Sequence, residues 1–573
     1  MKNIIRFQDS TFVKQYLSIL LLAVSAAFCI LPFIFHQTLF VSHDIIFHLF
    51  QSDQFYKSIA SGTLMPKWAL DANNGYGSAN FIFYSPLSYY VISLFHSFIP
   101  SLILSIIAAI WSSFFLSGIS MFLMVKKYTS RSIGLLCAVL YQIFPFHIID
   151  LYLRGTLGEL FAFIWLPLIF TFLYEILFSE KKHPAFIGLS LSYAGLILTH
   201  LVSAFIVSGI AFVYILLNVF YAPSKKEIIS AYASVTLGFG LASYFILPVF
   251  FELSFVQINY IRRYSFADYK NNFLLQLNTL NAEIFNMHSP NNFLGILNIT
   301  VVLEVLLFLI VIFFLYKKNQ FVFKNRYRFF SVYIFLLAFF MSTPLSRWLW
   351  NLLPPLNTIQ FPWRWLAYME LALIFLIGSF LHEVKVNRYF PQVGKYRYFL
   401  YVLSALILIS VITIFVRNDK FPEQAINNIL YPDKSGYDTY LPREYTPVWG
   451  TNLERILTLP IPDRVTVVSG TAIAHPVTWK PEERLIKVEA DSPAVLRVAT
   501  FYYPGWIAES DGKRKQVFIE KKSGTMLIDI QPGNHMLTLK LVDTPLRRTA
   551  KYLSLLSCLI LFLYIAKNRT EHG

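Results

Sequence analysis

Charged side chains are scarce in this chain: Asp, Glu, Lys and Arg make up 14% of its 573 residues, against roughly 25% in a soluble globular protein. That deficit, with 56% apolar residues and a mean hydropathy of +0.55, excludes a water-soluble enzyme and points to a chain that crosses a membrane many times. Cysteine is nearly absent, and Cys29, Cys137 and Cys558 lie far apart inside apolar runs. No disulfide framework and no CxxC metal site is written there. No P-loop, GxGxxG, HExxH or GxSxG pattern occurs, so nucleotide-driven transport and serine or zinc hydrolysis find no support. Acidic residues are outnumbered 48 to 32 by basic ones, a net charge of +16. In a soluble protein that excess would suggest nucleic acid; here cytoplasmic loops rich in Lys and Arg account for it.

What the chain has instead is long apolar runs. A spanning helix needs about 20 mostly apolar residues, and twelve segments qualify: 16–35, 101–124, 132–148, 156–178, 184–199, 201–220, 228–250, 293–316, 329–345, 362–381, 398–416 and 549–566. Alternate loops between them hold 21 basic residues, among them Lys126, Lys127 and Arg131, while the short loops on the other side and their margins hold 8. The positive-inside rule therefore places both termini in the cytoplasm and the large loops outside. Residues 87–98 are apolar but span only about 18 Å as a helix, and counting them as a span would turn the Lys126 cluster outward. They read as a surface helix with Ser85 as N-cap and Pro86 at the first helical position. The first span reads as an uncleaved anchor, because its apolar run continues past the small residues Ala23–Ala27 to Phe35.

Three outer regions are long enough for chemistry: 36–100, 251–292 and 417–548. The last holds 18 basic and 16 acidic residues and alternates in short runs such as LIKVEA, AVLRVATF and HMLTLKL. Asp511-Gly512 and Pro532-Gly533 are turn signals between such runs. These features predict a small β-sandwich over 417–548, between a membrane domain at 1–416 and a last span with a cytoplasmic tail at 549–573. In the first loop, Ile45, Ile46, Leu49, Phe50, Tyr56 and Ile59 recur at helical spacing, with Asp44, His48, Gln51, Ser52 and Lys57 between them. This pattern predicts an amphipathic helix in the interface, its polar face toward water. Asp44 and His48, four apart, share that face.

The succession SHDIIFHLFQSDQFYKSIASGTLMPKW, NNGYGSANFIFYSPLSYYV, IIDLYLRGTLGE and IQFPWRWL, closed by YYPGWIAESDGK and IQPGNHMLTLKL, resembles the bacterial membrane-protein family called "6-pyruvoyl-tetrahydropterin synthase-related" and its YfhO-like relatives. Nothing in it looks like a pterin enzyme. These families are similar to the GT-C glycosyltransferase superfamily. The resemblance implies a polytopic helical GT-C-like fold with surface helices in the first outer loop and an acidic active-site residue there. It also implies a sugar donor carried on a polyprenyl phosphate, in the bacterial cytoplasmic membrane.

Carried over, that acidic residue falls on Asp44, which would deprotonate or orient an acceptor hydroxyl; the plain alternative is a helix-capping acid. In the first turn of a helix the dipole would lower its pKa, which favours a metal or orienting role over proton acceptance. His43 and His48 flank it as candidates for substrate or metal. Asp150, Arg154 and Glu159 form a second group, since ionisable residues at this depth face an interior with partners. They read either as an i,i+4 ion pair or as part of a site, with Arg154 meeting donor phosphate. Asp44, Asp150 and Glu159 are also the candidate ligands for a divalent metal, Mg or Mn. Arg364 in QFPWRW fits a lipid-phosphate leaving group or, with Trp363 and Trp365, an interfacial anchor. Lys67 and Arg262 are further phosphate candidates. His200, alone at a hairpin tip, reads as structural.

The expected activity is sugar transfer from a polyprenyl-phosphate donor to an envelope glycan, lipid or protein, with the bilayer, the donor and the acceptor as partners and no nucleic acid. Two alternatives remain at this level. One is a flippase or transporter for a lipid-linked sugar, whose mark would be inverted repeats or broken helices at mid-membrane. The other is a non-catalytic assembly protein working through its β-domain.

Overall fold

The structure, a computed structural model, describes residues 11–179, 182–219, 224–260, 268–276, 290–317, 326–386, 397–416, 419–430, 443–450 and 463–570. The chain forms two compact units: Met1–Ile45, Ile107–Gly238 and Tyr264–Lys420 make the first, and Ile46–Ile106, Phe239–Arg263 and Phe421–Gly573 the second.

Among the described residues, seven helical stretches are long and apolar enough to cross a membrane, or nine if two bent helix pairs each count as one span. The shorter apolar helices Tyr16–Cys29 and Leu201–Leu217 add to these. In the first unit, the stretch Arg131–Arg154 is not one regular helix. Arg131–Ile143 stops at Phe144, whose backbone is extended (φ −69°, ψ 151°), because a following proline disfavours helical geometry at the residue before it. Pro145 then opens a short turn, Pro145–Ile149, at the position where its missing N–H costs nothing. Glu370, from helix Leu366–Val386, accepts the freed Phe146 N–H at 2.5 Å. A π-helical turn, Asp150–Arg154, follows directly. Gln142 ties the first spans together, its amide donating to Leu22 O (3.1 Å) and Phe114 O (2.9 Å). Gly118 makes room for it, since a Cβ there would sit 2.4 Å from the Gln142 amide nitrogen.

In the second unit, nine antiparallel strands form two sheets. They are β1 (Val465–Ser469), β2 (Ala472–Lys480), β3 (Glu483–Ala490), β4 (Ala494–Phe501), β5 (Trp506–Ser510), β6 (Lys513–Lys515), β7 (Phe518–Ile519), β8 (Thr525–Ile530) and β9 (Gly533–Leu541). The sheet orders are β1-β4-β8-β7 and β2-β3-β9-β5-β6. Asp511 and Gly512, both at positive φ, make the two-residue β5–β6 turn, as the Asp-Gly pair predicts. Strand β2 contains Pro476 and a break in register beside it. It is tolerated because β2 is an edge strand, where a missing donor faces no partner.

The sandwich core is completed by the first loop. Trp68, Ala79, Ile82 and Phe83 lie in one buried cluster with Ile486, Leu496, Val498, Tyr503, Trp506 and Leu537. Trp68 is fully buried and meets Trp506 edge to face at 5.7 Å. Gly77, at φ +81°, lies so close to the Trp68 indole that any Cβ would collide with it. Tyr503 and Trp506, which a sugar-binding surface would need to expose, are core residues here.

Two local expectations are corrected. Helix Leu87–His96 has Pro86, not Ser85, at its cap position and no side-chain capping bond. Most polar positions of helix Ile45–Ala60 do not face water: His48, Gln51, Ser52, Gln54 and Ser58 are buried, while Lys57 stays partly exposed. The serine hydroxyls turn back onto the helix's own carbonyls, Ser52 to His48 O at 2.6 Å and Ser58 to Gln54 O at 3.1 Å, which removes the need for solvent. Truncation of Trp68 to Ala should destabilise the sandwich by about 3–5 kcal/mol. Limited proteolysis of the purified full-length protein should then cut residues 463–541 at protease concentrations that leave the parent intact.

Candidate active site

Two of the expected charged residues, Asp150 and Arg154, open and close the π-turn. In it, Gly155 N donates to Asp150 O at 2.9 Å, the wider i→i+5 closure that is often found at functional sites. Gly155 ends the turn in the left-handed region (φ +65°). Immediately beside it the segment Ser42–Ile45 packs so tightly that a Cβ on Gly155 would fall 2.9 Å from the Ile45 Cβ and closer still to the Ser42 hydroxyl. Two backbone bonds dock that segment: His43 N to Leu153 O at 3.1 Å and Asp44 N to Arg154 O at 2.8 Å.

Around this junction the first unit gathers five charged side chains. Arg154 Nη1 contacts Asp150 Oδ1 at 3.1 Å and Glu159 Oε2 at 2.5 Å. The same Glu159 oxygen lies 3.4 Å from Arg364 Nε. Asp150 accepts from Thr156 Oγ1 at 2.7 Å, and Arg364 Nη1 donates to Ile359 O at 2.7 Å. The Arg154 guanidinium stands 4.4 Å over the Trp363 ring, and that of Arg364 5.0 Å over Phe361. Asp150, Arg154, Glu159 and Arg364 are all buried. Asp150 Oδ2 and Arg364 Nε nonetheless have no hydrogen-bond partner among the described residues, so the cluster keeps unfilled polar capacity.

Asp44 differs from these four. It is only half-buried, and among the described residues its carboxylate forms no ion pair. Its pKa is displaced upward. Loss of hydration is the largest cause, the nearby Arg154 and Arg364 pull it back, and Glu159 pushes it further up. The direction is opposite to the lowering expected of a helix dipole: Asp44 precedes helix Ile45–Ala60, and loss of hydration is the largest cause of its shift. A raised carboxyl is a better proton acceptor.

The other expected residues fall elsewhere. His43 is exposed and meets the Phe293 ring edge to face at 5.5 Å. His48, in the second unit, is buried with Nδ1 2.8 Å from the Tyr89 hydroxyl. Lys67, also in the second unit, pairs with Glu482 at 2.6 Å and lies 3.7 Å from Asp543. Arg262 lies outside the described residues. His200 has Nδ1 2.8 Å from Ser203 Oγ. Sequence reasoning missed Thr156, Phe361 and the ring-stacking role of Trp363. The adjacency of Thr156 to an Arg-Gly turn was the available signal for the first.

Asp150 and Glu159 each contact a guanidinium group, and among the described residues no three His, Cys, Asp or Glu side chains group to hold an ion.

A family model described as "6-pyruvoyl-tetrahydropterin synthase related domain; membrane protein" matches residues 81–421. An uncharacterized protein of Lactococcus lactis subsp. cremoris is 26% identical over 243 residues, which are 41% of this chain and 39% of that relative. Among solved structures, the apo oligosaccharyltransferase of Archaeoglobus fulgidus aligns with a TM-score of 0.42 and 12% identity, over 74% of this chain and 57% of the other. The same organism's oligosaccharyltransferase AglB, in complex with an inhibitory peptide and a dolichol-phosphate, aligns with a TM-score of 0.37 and 13% identity over the same shares. This chain thus spans less than two thirds of each protein's length.

Glu159 is the shared partner of both guanidinium groups. Glu159→Gln should leave Arg364 without a carboxylate and Arg154 with Asp150 alone, costing about 3–5 kcal/mol. The thermal midpoint of the detergent-solubilised protein should fall accordingly, and an unchanged midpoint would contradict the pairing.

Proposed function

The chain belongs to the 6-pyruvoyl-tetrahydropterin synthase-related family of membrane proteins, and from that premise we propose that it is a glycosyltransferase of the GT-C kind. It moves a sugar from a polyprenyl-phosphate donor to an envelope glycan, lipid or protein on the outer face of a bacterial cytoplasmic membrane. The proposal includes twelve spans with both termini inside, as the Lys and Arg distribution predicts.

One observation carries the reading. Two buried guanidinium groups, Arg154 and Arg364, share Glu159 close to a half-buried carboxylate, Asp44, that pairs with neither. In the transfer, an acceptor hydroxyl oxygen bonds to the anomeric carbon while the bond from that carbon to the phosphate oxygen breaks. The lipid phosphate departs with the bonding electrons. The acceptor proton passes to Asp44, whose raised pKa suits it to receive one. Negative charge growing on the phosphate is met by Arg364, whose Nε has no hydrogen-bond partner among the described residues, and by Arg154. Preorganised donors in a water-poor setting stabilise such charge strongly, because they need no reorientation as it develops.

A second reading, passage of a lipid-linked sugar across the membrane, draws on one feature. Helices Arg326–Ser342 and Pro344–Leu352 form a broken pair bent by 82°, and broken helices are a mark of transporters.

Mass spectrometry of envelope glycans and polyprenyl-linked sugars separates the two. Asp44→Asn should lower transfer at least about 100-fold, with the lipid-linked donor accumulating as it does in cells lacking the protein. If removal of the protein has that effect while Asp44→Asn behaves as the parent, the transfer reading fails and passage takes its place. The pH dependence follows from the same residue. Transfer needs Asp44 deprotonated, so the acid limb of the kcat/KM profile should fall at a pH above the ordinary aspartate value of about 3.9. That limb should vanish in Asp44→Asn.

A further inference from the structure

At the other end of the stretch that carries Asp150 and Arg154, the first unit has a groove of about 150 Å³ lined by Ser18, Ile19, Leu22, Ile119, Phe122, Leu123, Lys126 and Arg131. Its walls are two helices, Thr11–Cys29 and Leu102–Tyr128. On the second, Ile119, Phe122, Leu123 and Lys126 follow i, i+3, i+4, i+7 spacing, a single face whose apolar stripe of roughly 10 Å ends in a cation. On the first, Ile19 and Leu22 provide the facing apolar wall. Ile19 and Leu123 remain exposed.

The charges at the groove's end are unbalanced. Lys127 is neutralised by Glu175, but Lys126 has only the Phe122 ring, 5.3 Å from its Nζ. Arg131 donates from Nε and Nη2 to the Ser18 hydroxyl at 3.2 and 3.0 Å. Among the described residues, neither Lys126 nor Arg131 pairs with a carboxylate. The groove's other side is held rigid, since Gln142 and the Trp111 indole N–H (to Ala23 O, 3.2 Å) join the two helices.

We propose that this groove is a binding site for one anionic phospholipid. Its phosphate sits between Lys126 and Arg131, and one acyl chain runs along Ile19, Leu22, Ile119 and Leu123. Two uncancelled cations above an apolar channel match that ligand in both charge and hydrophobicity, and basic pockets between spanning helices take anionic headgroups. A zwitterionic lipid would bring its own cation beside Lys126 and Arg131 together with its phosphate, and free phosphate would leave the channel bare. The site is independent of the transfer reading, since none of its residues belongs to the candidate active site.

The test is native mass spectrometry of the full-length protein released from vesicles of equal phosphatidylglycerol and phosphatidylcholine. The parent should retain one phosphatidylglycerol per chain in preference to phosphatidylcholine. Lys126→Gln, at an exposed position, should lower that preference about fivefold. Leu123→Trp should block retention by filling the channel without altering charge. Inorganic phosphate at 10 mM should not displace the lipid. The proposal is overturned if the two lipids are retained equally, if both variants behave as the parent, or if phosphate alone competes fully.

Discussion

An ionised group placed in an apolar bundle needs an opposite charge at contact distance, and the first unit is arranged around that need. Arg154 cannot leave Asp150 and Glu159 without stranding its own charge and that of Asp150. The three meet where the π-turn ends in the chain reversal at Gly155. The reversal in turn leaves room for one backbone only, that of Ser42–Ile45, and so locates Asp44. Arg364 joins through Glu159 and is steadied by a carbonyl and a ring. Position is thus handed from a charge balance to a backbone conformation, and from there to the half-buried Asp44.

A second polar arrangement supports the first from within the bundle. Glu370 sits six residues after Arg364 on the same helical run and accepts the N–H exposed by the Phe144–Pro145 break. The helix that presents Arg364 is therefore anchored to the stretch that presents Arg154, through a bond that exists only because proline interrupts regular geometry. Neighbouring Glu304 is also fully buried.

Residues whose role depends on local spacing were legible in the sequence. Asp150 and Arg154, four apart, do form the ion pair that spacing permits, and Asp511-Gly512 does turn a hairpin. Long apolar runs announced the helices for the same reason, since the bilayer imposes a minimum length. Features that depend on packing were not legible. The alternation of His48, Gln51 and Ser52 with apolar residues looks the same whether the polar side meets water or other side chains. Strand β2 was hidden by Pro476, whose tolerance depends on an edge position that no single sequence displays. The π-turn has no periodic signature at all.

Trp68 stands more than 400 residues ahead of the strands that enclose it. During synthesis the first loop emerges long before β3, β5 and β9 exist, so its indole and the Phe83 ring must wait through the making of most of the chain before their surroundings are complete. Closure of so long a loop carries an entropic cost that grows only slowly with length, but the delay itself is set by translation. The sandwich is consequently among the last parts of the protein that can finish folding. An interruption of synthesis anywhere before β9 would leave the first loop's aromatic residues without their core, whatever the state of the helices already in the membrane.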